Sequence, residues 1–168
     1  MSEPDGLILF AGQYPDLDSA YEDFNAIKFL HQEKFIGQYE AAIFEKQQGG
    51  KVKILNTDAT ERGWGAKAGA VTGAVLGIIF PPTIIGMAAG GAALGAVFGN
   101  FMKGMKRSDI KEIGEMLDEG TAGIVLVAET TLEEGERRLM KKAAKIMKKQ
   151  VDASAKELKE AIDEAAEG

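Results

Sequence analysis

The chain has no cysteine and only one histidine, His31. The first absence excludes disulfides, thiolate metal sites and thiol catalysis. The second leaves no histidine cluster for a metal and nothing from which a Ser-His-Asp set could be built beyond one residue. His31 falls on the apolar face of a predicted helix, which reads as a core or edge position rather than a catalytic one. Positive charge is missing where a secretory signal needs it. The start, Met1-Ser2-Glu3-Pro4-Asp5-Gly6, is acidic, and the apolar run Leu7 to Ala11 is too short for a signal core. The N-terminal part is therefore expected in a reducing cytosol. A net charge of -6 argues against a general nucleic-acid binder. The glycine-rich stretch lacks a Gly-Lys-Ser/Thr ending, so a phosphate loop is a weak reading. Asp58 and Glu61 read as solvated acids, and the seven methionines as core filler. No enzyme, cofactor or metal is expected.

Charge is also absent from Ala68 to Met102, a run of 35 residues broken only by Pro81-Pro82. Eleven of the 21 glycines lie between Gly63 and Gly104, so the glycine excess belongs to one element. Gly65, Gly69, Gly73 and Gly77 repeat every four residues. After the prolines come Gly86 and Gly90, then Gly91, Gly95 and Gly99. Residues four apart share a helical face, so residues 61–106 are expected to form a glycine-zipper helical hairpin. Glycine inside a helix costs roughly 1 kcal/mol against alanine, and nine such positions cost roughly 9 kcal/mol, as much as a whole domain's stability. Close packing against other helices must offset this. Each arm is at the spanning threshold of roughly 17–25 residues. Arg62 and Lys67 stand at one foot, with Lys103, Lys106 and Arg107 at the other, which places both feet in the cytosol by the positive-inside rule. Trp64 suits an interfacial position. A soluble oligomer with a dry core of hairpins, or a monomeric core hairpin, would use the same faces.

Around this insert the sequence reads strand, helix, strand, strand, helix, strand. Leu7 to Gln13 is an apolar strand. Tyr14-Pro15-Asp16 starts a helix, with Ala20, Tyr21, Phe24, Ile27, Leu30 and His31 on one face. Residues 36–46 and 52–55 are strands joined by a turn at Gln48-Gly49-Gly50-Lys51. Ser108 opens a helix with Ile110, Ile113, Met116 and Leu117 inward, and Ala122 to Glu129 is a strongly apolar strand. This predicts an α+β chain with a ferredoxin-like split β-α-β carrier domain over 5–56 and 107–130. A long amphipathic helix over 131–166 is expected after a capping box at Thr131 and Glu134. Met147, Val151, Ser154, Leu158, Ala161 and Ala165 form its thin seam.

Seven basic residues, Arg137, Arg138, Lys141, Lys142, Lys145, Lys148 and Lys149, fall in 13 residues without an acid. They read as contacts for anionic lipid headgroups. The plainer reading is a solvated face with Ile146 and Met147 in a core, and the acidic residues from Asp152 to Glu167 in a neighbouring subunit offer a further set of partners. Nucleic acid is a third option.

The run Gly63-Trp64-Gly65-Ala66-Lys67-Ala68-Gly69-Ala70 and the strand Gly120-Thr121-Ala122-Gly123-Ile124-Val125-Leu126 resemble a prokaryotic family of predicted membrane proteins of unknown function. The resemblance covers roughly residues 5–130. It implies a glycine-rich apolar segment beside a small α/β domain and carries no catalytic residue to any position.

The leading expectation is a non-enzymatic, membrane-associated protein that homo-oligomerises through its hairpins as a pore or scaffold, at the inner membrane with the α/β domain in the cytosol. The alternative is a soluble cytoplasmic assembly or cargo-type protein with the hairpins buried in its core. A small-molecule-binding ferredoxin-like domain rests on fold analogy alone. The expected partners are further copies of the chain and a lipid bilayer.

Overall fold

The computed structural model describes residues 7–47, 49, 51–60, 79–80, 106–118, 121–129 and 137–151. Their elements in chain order are β1 (Leu7–Tyr14), α1 (Leu17–Gln32), β2 (Tyr39–Lys46), β3 (Val52–Ala59), α2 (Arg107–Asp118), β4 (Ala122–Glu129) and β5 (Lys145–Val151). The five strands form one sheet in the order β3-β2-β4-β1-β5. Every neighbouring pair is antiparallel.

The ferredoxin-like arrangement with a long C-terminal helix is not what forms. That fold would fold the third strand back between the first two. Here β4 takes the place between β1 and β2, and β3 stays outside as an edge. The reason lies in the strand sequences. Ile124, Val125, Leu126 and Val127 alternate between the two faces, and all four are completely buried. A strand apolar on both faces gains roughly 1.5–3 kcal/mol per side chain only where both faces are covered. β3 carries Lys53, Asn56, Thr57 and Asp58, and most of its positions stay partly open. An edge suits it.

The second half of the correction concerns residues 137–151. Among the described residues there is no long helix after β4. Helical backbone at Arg137-Arg138 gives way to turns, and Met140 takes a φ of 54°, which no continuous helix allows. The chain then runs as β5 along the free edge of β1, with Ala11 opposite Met147. Gly12 leaves room for Met140 over β1. A Cβ there would lie 2.8 Å from Met140 Sδ.

α1 covers one face of the sheet. Asp16 caps it, accepting from the Ser19 N–H at 2.7 Å, and this bond holds the Asp16 carboxyl below its usual range. Ala20, Phe24, Ile27 and Leu30 point into a core with Phe10, Ile43, Ile124 and Leu126. The turn at 139–140 closes the same core with Leu139 and Met140. It is fixed to α1 by Asp23, buried to 7% exposure, whose Oδ2 accepts from Tyr14 Oη at 2.8 Å and from the Lys142 N–H at 2.7 Å. Lys142 also pairs with Glu22, and the Arg138 guanidinium lies 4.5 Å over the Phe35 ring.

α2 lies on the other face through Ile113, Met116 and Leu117. Two of its C-terminal carbonyls are satisfied by the sheet. Buried Gln13 donates to Met116 O at 2.6 Å, and Lys46 Nζ reaches both Asp118 O and Asp118 Oδ1. The β2–β3 hairpin closes as its sequence predicts, with Gly49 at φ 89° and Gln47 N–H donating to Lys51 O.

Burial, together with the hydrogen bond to Asp23 and its charge, pushes the Tyr14 phenol far above its ordinary value; burial and Asp58 do the same to Tyr39. A phenol raised in the folded state contributes its full stabilisation below its unfolded pKa of about 10 and loses it as pH rises beyond. Urea melts should therefore show stability falling above pH ~10. Tyr14→Phe should cost about 1–2 kcal/mol at neutral pH and make the alkaline fall shallower. An equally steep fall in both proteins would contradict the role given to Tyr14.

Candidate functional site

Two features bring the glycine-rich segment to the sheet. The first is a seat for its proline end. Phe80, the residue before Pro81, is 4% exposed, and its ring meets the Phe44 ring edge-on at 5.7 Å between centroids. The outer end of the Phe44 ring in turn covers Gly123 of β4, where any Cβ would run into the ring. Gly114, in the interior of α2, lies so close to Ile79 that a Cβ would be 3.2 Å from the Ile79 carbonyl oxygen. A strand glycine makes room for an aromatic ring, and a helix glycine makes room for a backbone. Together they hold residues 79–80 against β2 and α2.

The second feature is a cavity of about 520 Å³ at the root of the segment, where β3 ends. Lys28, His31 and Gln32 reach it from consecutive turns of α1, Gln38 and Tyr39 from the start of β2, and Asp58 and Thr60 from the end of β3. Tyr39 Oη donates to Asp58 Oδ2 at 2.6 Å. His31 Nδ1 lies 2.9 Å from Gly37 O and 3.3 Å from Ile36 O. A carbonyl only accepts, so Nδ1 carries the proton and Nε2 is an acceptor in the neutral ring. The ring also packs edge-on against Tyr39 at 5.6 Å. The Thr60 N–H donates to Tyr39 O, yet Thr60 Oγ1 is buried with no hydrogen-bond partner.

The glycines read as the packing strip, Gly65, Gly69, Gly73, Gly77, Gly86, Gly90, Gly91, Gly95 and Gly99, lie outside the described residues, as does the rest of the hairpin apart from Ile79, Phe80 and Lys106. The basic residues at 137–149 do not lie on one helical stripe. Lys145 and Lys149 stand opposite Gln13 and Leu9, on the α2 face of β5, while Lys148 stands opposite Phe10, on the α1 face. Lys149 pairs with Asp109 at 3.3 Å, and Lys142 with Glu22. Arg137, Arg138, Lys145 and Lys148 also have partners, and Lys141 is exposed. Asp58 is not a solvated loop acid but a half-buried strand residue bonded to Tyr39. Among the described residues no group of three His, Asp or Glu could hold a metal, and no helix is long and apolar enough to cross a membrane.

A match to a family described as "Protein of unknown function (DUF1269)" covers residues 66–163, more than half of the chain. The chain belongs to this uncharacterised family. The match includes the glycine segment, Gly114, Gly123 and the β5 region, which the expected resemblance had left outside. No curated protein and no solved structure matches the chain.

Sequence reading missed Phe80, Phe44, Gly114 and Gly123 as a unit. The signals were present, since an isolated glycine in a helix or a strand marks close approach. Gly123→Ala should cost about 1–3 kcal/mol by overpacking. The double variant with Phe44→Leu should cost less than the sum of the two single changes, because the smaller side chain vacates the space. Strict additivity in thermal melts would contradict the stacking of Phe44 on Gly123.

Proposed function

We propose that this protein is a non-enzymatic, self-associating module whose small-residue arms pack against those of other copies while the proline end of the first arm stays on its own sheet. The four-residue glycine repeat supports the self-association. The seat of Phe80 supports the placement. The first arm leaves β3 at Thr60, which is bonded to Tyr39, and reaches Phe80 on Phe44. Tyr39 and Phe44 are five positions apart on β2, about 17 Å at the rise of a strand. A bilayer core is about 30 Å thick. An arm fastened at both ends to one domain over the shorter distance does not carry its tip across lipid.

The charge-free run from Ala68 to Met102 with basic feet favours a second reading, a membrane-associated pore or scaffold at the inner membrane. That reading requires Phe80 to leave Phe44. The first reading goes with a cytoplasmic assembly. Neither calls for nucleic acid or a cofactor.

The absence of cysteine makes the two separable in cells. Thr83→Cys and Lys106→Cys, each the only thiol in its protein, should react with an impermeant maleimide from the same side of the membrane. Labelling from opposite sides would overturn the seated arrangement in favour of spanning. Self-association is tested separately by size in detergent-free buffer. Gly73→Leu should reduce the oligomer far more than Val75→Leu, because only the first fills the small-residue strip. Equal oligomer sizes would contradict that face.

A further inference from the structure

The cavity beneath the C-terminal half of α1 is not called on by the self-association reading, and its chemistry is polarised. Its groups include strong hydrogen-bond acceptors. Asp58 offers a carboxylate whose Oδ2 already accepts a hydrogen bond from the Tyr39 hydroxyl, the Thr60 hydroxyl is buried without a partner, and His31 presents Nε2 because Nδ1 is committed to backbone carbonyls. The Tyr39 hydroxyl is already used, and the Gln32 and Gln38 side-chain amides are neutral groups that both donate and accept. The cation is Lys28, an exposed residue at the rim, for which no ion pair is found among the described residues. The Tyr39 and His31 rings, packed edge-on, line the same cavity.

Each simpler ligand class meets an obstacle. An inorganic anion that entered past Lys28 would face the Asp58 carboxylate. A metal ion would find one carboxylate where at least three ligands are needed. An organic ammonium group satisfies the inner acceptors with several N–H donors at once, and an anionic group at its other end meets Lys28. The volume, about 520 Å³, lies in the range of small-ligand sites.

We propose that the cavity between α1 and the Tyr39–Asp58 pair binds a small zwitterion with an apolar body, its ammonium end at Asp58 and Thr60 and its anionic end at Lys28. This does not rest on the self-association reading, and the readouts differ. The Thr60 hydroxyl has almost no accessible surface as it stands, so in the complex its side chain turns toward the ammonium group and gains a partner for a buried polar atom that is costly to leave unpaired.

Amide NMR titration of the full chain with three matched probes tests this. L-Phenylalanine carries both charges on an apolar body, phenethylamine only the ammonium, and hydrocinnamate only the carboxylate. L-Phenylalanine should shift the amides around His31, Tyr39 and Asp58, and bind about tenfold or more tightly than either analogue. Asp58→Asn keeps an acceptor for the Tyr39 hydroxyl and should retain the fold. It should weaken L-phenylalanine and phenethylamine about tenfold and leave hydrocinnamate unchanged. Lys28→Gln should do the reverse. Thr60→Val, nearly isosteric, should weaken both ammonium probes. No shift with any probe, hydrocinnamate binding as tightly as L-phenylalanine, or indifference to Asp58→Asn would each overturn the proposal.

Discussion

The burial of β4 on both of its faces governs the architecture. Its Ile-Val-Leu-Val centre leaves no side that can meet water, so it must lie between other strands and beneath two layers. Placing β4 between β1 and β2 sends β3 to one edge and leaves the far side of β1 open. The segment after β4 then takes that side as β5. One face is closed by α1 and the turn around Met140, and the other holds α2 and Phe80.

Phe80 links this scaffold to the glycine-rich segment. Its ring stands on Phe44, Phe44 lies over Gly123 of β4, and Gly114 admits the Ile79 carbonyl. The two glycines outside the repeat thus serve the same physical end proposed for those within it, close approach without a Cβ. At the other end of the first arm, the Thr60 N–H is tied to β2, and the polar cavity lies beside that junction. The sheet therefore contacts the segment at its root and at its proline end. Self-association is proposed for the glycine repeat and ligand binding for the cavity.

Much of the local structure was legible from residue patterns. The apolar periodicity of 17–32, the helix start at Tyr14-Pro15-Asp16, the Gly49 hairpin and the apolar run of β4 all announced their elements. The strand order did not follow from the element order. The βαββαβ sequence is shared with the ferredoxin-like fold, and only the contrast between the polar β3 and the doubly apolar β4 shows which of them takes the middle. Lys145–Val151 was misread for a stronger reason. Lysine, methionine and glutamine favour helices, but propensities of a few tenths of a kcal/mol per residue yield to an available ladder along β1. The basic cluster consequently spreads over a turn and two strand faces. The cavity was invisible for another reason. His31, Tyr39, Asp58 and Thr60 are distant in sequence and meet only because α1 crosses over the β2–β3 end.

The central claim is that the proline end of the glycine-rich segment rests on its own sheet. The most direct measurement is the contact between phenylalanine rings, read as nuclear Overhauser effects in protein labelled at phenylalanine, first in buffer and then with lipid nanodiscs added. The account predicts a cross-peak between the rings of Phe44 and Phe80 in both samples. A Phe80 ring that shows cross-peaks to lipid acyl chains and none to Phe44 would contradict it.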